Sequence, residues 1–473
     1  MTQDTKWLTA FDAYAESYLA KHEVPGAAIS IVDANGSIYS RGFGLRDREA
    51  GTPATPSTVF GIASLSKSFT ALTALVLQER GRLNVDDLVT DHLPDFAYPG
   101  LGPDVRVRHL ISHSTGLPPL RSLDYAMHPS QVSDPINAYN KRDYTDAPQV
   151  DDYAQLMAYM RKGERPAFAR PGETMSYSNE GVALVGAVIE AGTGEYFPDV
   201  LKREVLDPLG MTSTTFDVAT ARATGELTTL YTRTPDKTII RSDVWEEAPA
   251  FLGTGFLKSS ADDLGAYLRA LLGRAAALGL SSETFEQLIT PRVWSAPATD
   301  YCFAWGRRRH RGVTLFRHGG SLKGVSSHQG WVPELGIGVA ILSNLDEVPV
   351  MRLWLAALNL AMGLPAEAPM FDEGTYSPVT AADEIAKRVV GVYDSGEPWG
   401  RLELVVDEVT GAVKALVGED AQDSGNLAML NEREYVLVTG VGAWDGGRFH
   451  FGESGVPRAV QHGGRWYDRA RAD

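Results

Sequence analysis

Cysteine is almost absent from this chain: Cys302 is the single one among 473 residues. That excludes an intrachain disulfide and any thiolate-rich metal site. Set in Tyr301-Cys302-Phe303-Ala304-Trp305, it reads as a buried small hydrophobe. Positive charge is also scarce. Against 60 acidic residues stand 44 Lys and Arg, for a net charge of -16. Such a chain lacks the concentrated basic surface that nucleic acid requires. No apolar run is long enough to span a bilayer, so no membrane partner is expected. Met1 to Trp7 lack the basic stretch and apolar run of a signal peptide, which makes the cytoplasm the expected location. Tandem repeats and low-complexity tracts are missing too. What remains is an ordinary globular composition, 44% hydrophobic and 22% charged, in a chain too long for one compact core.

The patterning suggests how the chain is divided. Apolar residues recur at helical spacing over 6–22. Two strand-like runs, Gly26 to Val32 and Ser37 to Phe43, flank the turn residues Ala34-Asn35-Gly36. A mostly helical middle follows, with a polar stretch at 118–171 that is long for a loop and suited to a lid. Strands return at 301–308, 313–317, 325–332 and 337–342, and a helix at 350–362 closes this part. The basic residues Arg307, Arg308, Arg309 and Arg311 fall at a hairpin turn and read as a solvated tip. The simplest assembly is α+β. A five-stranded-type antiparallel sheet is made from both ends of the segment, flanked by helices, with a helical subdomain inserted. Residues 1–365 then form one domain and 366–380 a linker. Residues 381–473, with short strands separated by turn signals, form a small β-rich domain.

Chemistry concentrates in three places. In Ser64-Leu65-Ser66-Lys67 a serine precedes a lysine by one helical turn, so hydroxyl and amine share a face. A serine needs an adjacent base to become a nucleophile, and a lysine kept neutral by burial can be that base. The helix start adds backbone N–H groups for an oxyanion. Taken alone, the pair is more often a capping serine and a solvated lysine. Tyr177-Ser178-Asn179 stands at another helix start, where a phenol can relay a proton and an amide can hold an acyl carbonyl. His318-Gly319-Gly320-Ser321 ends a strand, where glycines let a substrate lie along the edge and the Ser321 N–H can join that of Ser64. His109 and His113 are four apart, but no third ligand accompanies them, so hydrogen-bonded structural histidines are the better reading. No metal and no cofactor is called for.

In order and spacing these motifs resemble those of the serine β-lactamase / penicillin-binding-protein-like family. The Tyr-x-Asn motif resembles the branch of class C β-lactamases, D-aminopeptidases and esterases. Flanking pieces are similar as well: His113 to Pro118, Asp207 to Met211, and Ser260 to Leu264. The resemblance covers roughly residues 8–362. It implies an acyl-enzyme on Ser64, with Lys67 and Tyr177 sharing the base role and the N–H groups of Ser64 and Ser321 holding the oxyanion. Asn179 would orient Lys67 and contact the acyl group, while His318 and Gly320 would line the substrate edge.

The departure is His318, where this family usually carries lysine. A neutral histidine offers no fixed cation to a substrate carboxylate. The expectation is therefore an esterase or D-aminopeptidase/amidase-like hydrolase of a small-molecule ester, amide or peptide, with weak or no β-lactamase activity. Alternatives are an acyltransferase of the same fold and a non-catalytic binding or scaffold protein. The C-terminal segment weakly resembles the lipocalin-like domains appended to some family peptidases.

Overall fold

The structure, a computed structural model, describes residues 6–138, 144, 147–397, 400–418, 421–440 and 442–470. The segment before Lys6, on which the signal-peptide expectation rests, lies outside the described residues, as does part of the 118–171 stretch.

The runs around Asn35 form a hairpin, Gly26–Asp33 with Ser37–Asp47. Asp33 accepts from the Asn35 and Gly36 N–H groups in the turn. Strand Gly26–Asp33 also pairs antiparallel with Ile337–Ser343, which joins the two ends of the domain. Val325–Val332 and Val313–Leu322 continue the sheet. These five match expected strands. Four shorter ones, Thr52–Pro53, Gly306–His310, Thr299–Tyr301 and Val293–Ala296, extend the sheet to nine. The run predicted as one strand from Tyr301 to Arg308 is broken because Ala304 takes φ +59 and the Cys302 N–H closes a turn onto Trp305 O.

Alternation along Gly26–Asp33 explains the layering. Ala27, Ile29 and Ile31 face a core with Phe11, Leu353, Trp354 and Leu358, supplied by helices Lys6–Lys21 and Val350–Ala361. Ala28 and Val32 face Leu264 and Leu268 of helix Ala261–Leu272, beyond which lies the helical subdomain. Each fully buried aliphatic side chain contributes roughly 1.5–3 kcal/mol, so the two cores clamp the sheet from both faces. Ser260 caps its helix, accepting from the Asp263 N–H. The stretch 118–171 contains helices Ser122–Gln131 and Tyr153–Lys162. Cys302 is buried and its thiol is pushed up to about 12 by that burial.

The C-terminal segment is an antiparallel sheet in which strand Gln422–Met429 pairs with Glu434–Thr439, so that eight of its nine strands close into a barrel. Closure leaves those eight without a free edge. Short strands such as Gly391–Asp394 and Arg465–Arg469 carry too few alternating residues to stand out in the sequence. The barrel is not loosely tethered. Met370 and Phe371, together with Ala443 and Trp444 of the barrel, belong to the same core as Trp354. Arg308 departs from the solvated-tip reading. It is buried, donates to Pro297 O and Met370 O, and lies 4.2 Å over the Phe371 ring.

Among the described residues no helix is long and apolar enough to cross a membrane.

Candidate active site

Ser64 sits in a short 3-10 turn, Ala63–Leu65, that feeds helix Ser66–Glu79. Ala63 takes φ +47, a left-handed conformation that costs a non-glycine residue roughly 1–2 kcal/mol. The surroundings hold it there. Ser66 Oγ donates to Ala63 O, Ser327 Oγ donates to Ile62 O, and the Leu257 N–H donates to Ser66 Oγ. Across residues 58–77, Ser64 alone escapes full burial. The strain thus turns one hydroxyl outward from an otherwise closed corner.

The Lys67 amine lies 3.1 Å from Ser64 Oγ and donates to Thr254 O at 2.7 Å. Lys67 is 1% exposed. Burial, reinforced by the Arg465 charge, drives its pKa well below the ordinary lysine value, so the amine is held toward its neutral, basic form. Glu180 opposes this, but its own carboxyl is raised by burial, and it accepts from Ser122 and Ser178 hydroxyls.

Tyr177 shares a hydrogen bond with Ser64, and Lys67 Nζ lies 4.9 Å from its ring centroid. Burial pushes the phenol up to about 12, so at neutral pH it keeps its proton. The His113 ring packs 4.2 Å from that of Tyr177 and accepts the Ser178 N–H at Nδ1. Burial first, then the neighbouring cations, keep His113 neutral. His109 is engaged separately, accepting from the Arg106 N–H at Nδ1.

The third motif lies on strand Val313–Leu322, which runs against the nucleophile turn. A Cβ on Gly320 would stand 2.5 Å from Ile62 O and 3.0 Å from the Ser64 nitrogen, which is why no side chain fits there. Ser321 follows, exposed, at the open end of that approach. The two nitrogens of His318 are both committed: Nε2 to the Tyr301 hydroxyl at 3.0 Å and Nδ1 to Gly319 O at 2.6 Å. A proton on Nδ1 serves Gly319 O, and in the neutral ring Nε2 then accepts from the Tyr301 hydroxyl. Burial, with Lys67 nearby, pulls His318 down to about 3.

Asn179 opens helix Asn179–Thr193. Among the described residues, the hydrogen-bond partners of Lys67 are Ser64 Oγ and Thr254 O.

The family model described as "Beta-lactamase" matches residues 11–361. The chain belongs to the beta-lactamase family. Among curated relatives, Protein flp of Staphylococcus aureus is 26% identical over 351 residues, 72% of this chain and 64% of its own. This chain thus spans less than two thirds of that relative. Unguisins hydrolase ungD of Aspergillus violaceofuscus is 24% identical, covering 93% of this chain and 84% of its own. Among solved structures, the octameric penicillin-binding protein homologue from Pyrococcus abyssi superposes with a TM-score of 0.68 at 26% identity, covering 96% of this chain and 97% of its own. That likeness takes in the barrel as well as the beta-lactamase fold.

Sequence reasoning also missed a neighbour supplied by the barrel. The Arg465 guanidinium, carried by the barrel, lies 5.2 Å from the centroid of the Tyr177 ring. Its only local signal is the Gly463-Gly464 turn before it, which marks a hairpin and not a site.

Proposed function

We propose that this chain is a serine hydrolase that cleaves an ester or amide through an acyl-enzyme on Ser64. The observation that carries the reading is a buried amine, held toward neutrality, 3.1 Å from the one outward-turned hydroxyl of its corner. Lys67 takes the Ser64 proton as Oγ attacks the carbonyl. The oxyanion forms between the N–H groups of Ser64 and Ser321, on the strand edge kept open by Gly320. On collapse the leaving group departs with a proton passed through Tyr177, whose raised pKa suits it to act as an acid. Water then attacks the acyl-enzyme and releases the acid. Asn179 lines the acyl side.

Residues 1–365 act as the catalytic domain, 366–380 as the connection, and 381–473 as a barrel domain that borders the cleft. A neutral His318 favours an esterase or D-aminopeptidase/amidase-like substrate over a β-lactam, because no fixed cation stands at the strand edge for its carboxylate. The hydrolase named among the relatives is consistent with transfer to water. The test is a screen of aryl esters, D- and L-aminoacyl amides and cephalosporins, run with wild type and Ser64→Ala. Turnover of an ester or amide by the wild type alone supports the proposal. Equal turnover by both proteins removes Ser64 from the mechanism, and failure of a fluorophosphonate to label the wild type returns the chain to a binding role.

A further inference from the structure

The site contains two basic side chains. One, Lys67, is held toward neutrality. The other arrives from the barrel. Strands Pro457–His462 and Arg465–Arg469 are joined by Gly463 and Gly464, with His462 paired to Arg465 across the turn. Both glycines have positive φ, +56 and +75, as a tight two-residue hairpin requires. The turn is seated on the second motif: the Tyr177 N–H donates to Gly464 O at 2.8 Å, and Gln461 Nε2 donates to Met175 O at 3.0 Å. Phe168 stacks on Trp466 at 4.4 Å, and Arg165 pairs with Asp468. Four contacts therefore fix where the next side chain, Arg465, must go.

Arg465 Nε donates to Glu397 at 2.7 Å, and the Glu397 side chain is 6% exposed. Burial alone would weaken the guanidinium charge, but the Glu397 carboxylate outweighs it and keeps Arg465 protonated. Arg465 leaves a side-chain fraction of 24% open beside Tyr177. At the opposite flank, where the family usually places a lysine, His318 is neutral with both nitrogens engaged.

We infer that Arg465, delivered by the barrel hairpin, is the positioning residue that supplies the fixed positive charge of this hydrolytic site, and that Glu397 sets its strength. The inference rests on the hydrolase reading above. Arg465 acts through Lys67 and Tyr177: a cation beside the ring disfavours a second cation on Lys67 and favours loss of the Tyr177 proton. Both effects point the same way, toward a site that accepts and passes protons at lower pH. Glu397 opposes both by partly neutralising Arg465. The other groups facing Tyr177 do not supply this charge. His113 and His318 are neutral, and the Tyr301 phenol keeps its proton.

The experiment is the pH profile of kcat/KM on an aryl ester with the full-length protein, for wild type, Arg465→Gln, Arg465→Lys, Glu397→Gln and Ser64→Ala. The limb that reports the free enzyme's base moves to higher pH in Arg465→Gln, by about one pH unit or more. Arg465→Lys restores most of that movement. Glu397→Gln moves the limb the other way, to lower pH. Opposite displacements are what a packing role cannot produce. If Arg465→Gln and Glu397→Gln both lose activity with the limb unmoved, or move it in one direction, the inference is overturned while the Ser64 reading stands. Full activity in Ser64→Ala overturns the hydrolase reading itself. Should Arg465→Gln not fold, Arg465→Lys and Glu397→Gln decide, since an unmoved limb in Glu397→Gln is enough to reject the role.

Discussion

Two basic side chains flank the ring of Tyr177, Lys67 at 4.9 Å and Arg465 at 5.2 Å, and they reach it by different routes. Lys67 stands one helical turn after the nucleophile, in a run that is buried throughout. Arg465 comes from a barrel hairpin near the other end of the chain. Lys67 is stripped of water and, among the described residues, has no carboxylate bonded to it, so burial decides its state. Arg465 is paired with Glu397, so it stays charged. One position needs an amine that can lose its proton; the other needs a charge that cannot be lost. Lysine and arginine suit these tasks in that order.

The largest effect tests the frame in which the comparison is made. Ser64→Ala is expected to lower kcat on an aryl ester by about 10⁴-fold or more, read by steady-state kinetics. Next comes an exchange that separates the two cations. Lys67→Arg keeps a nitrogen base of similar reach but one that cannot be deprotonated, so kcat/KM should fall by about 10²–10⁴. The reciprocal Arg465→Lys should stay within about tenfold of wild type. Equal losses from the two exchanges would erase the distinction drawn here.

The same contrast shows what the sequence made legible. Ser64 and Lys67 could be paired because helix geometry links residues three apart, whatever the rest of the chain does. The five central strands were legible as short apolar runs set off by turn residues such as Ala34-Asn35-Gly36. The joining of Gly26–Asp33 to Ile337–Ser343 followed from having strands at both ends. Arg465 was not legible, because its place depends on barrel closure and on the hairpin docking against Tyr177. Neither leaves a periodic trace. Thr254 was missed for a related reason: it acts through its backbone carbonyl, and any residue type presents one. Arg308 was misjudged because a cluster of arginines at a turn says nothing of which one the adjoining segment covers.

An intermediate effect concerns pH in the wild type. Lys67 must be neutral to accept the Ser64 proton, and its pKa in the fold is lowered, chiefly by burial. Below that value the amine is protonated and kcat/KM falls; above it, activity is present. The limb should therefore lie well under the ordinary lysine value, and Lys67→Arg should abolish it along with the activity. A limb near the ordinary lysine value in the wild type would mean that burial does not control the amine.

A smaller effect is expected at the third motif. His318→Lys breaks the bond from the Tyr301 hydroxyl and brings a cation to the strand edge. Cephalosporin turnover, expected to be weak in the wild type, should rise by no more than about tenfold, because Arg465 already sets the local charge and two cations repel across the cleft. A large gain would show that the strand edge, and not the barrel, is where this site lacks charge.

The finest comparison lies within the hairpin itself. Gly463 and Gly464 both occupy left-handed conformations, so alanine at either costs roughly 1 kcal/mol in backbone strain. They differ in what an added Cβ meets. At Gly463 it meets nothing within 4 Å, whereas at Gly464 it comes 3.2 Å from Met175 Cε and 4.0 Å from Tyr177 Cβ. Gly463→Ala should therefore lower thermal stability slightly and leave kcat/KM close to wild type. Gly464→Ala should cost similar stability but also push the turn away from the second motif, weakening the bond from the Tyr177 N–H to Gly464 O and withdrawing Arg465. Its kcat/KM should fall several-fold, with the base limb displaced toward higher pH in the manner of Arg465→Gln. If the two alanine variants behave alike in both thermal unfolding and pH profile, the seating of the hairpin does not govern the charge beside Tyr177.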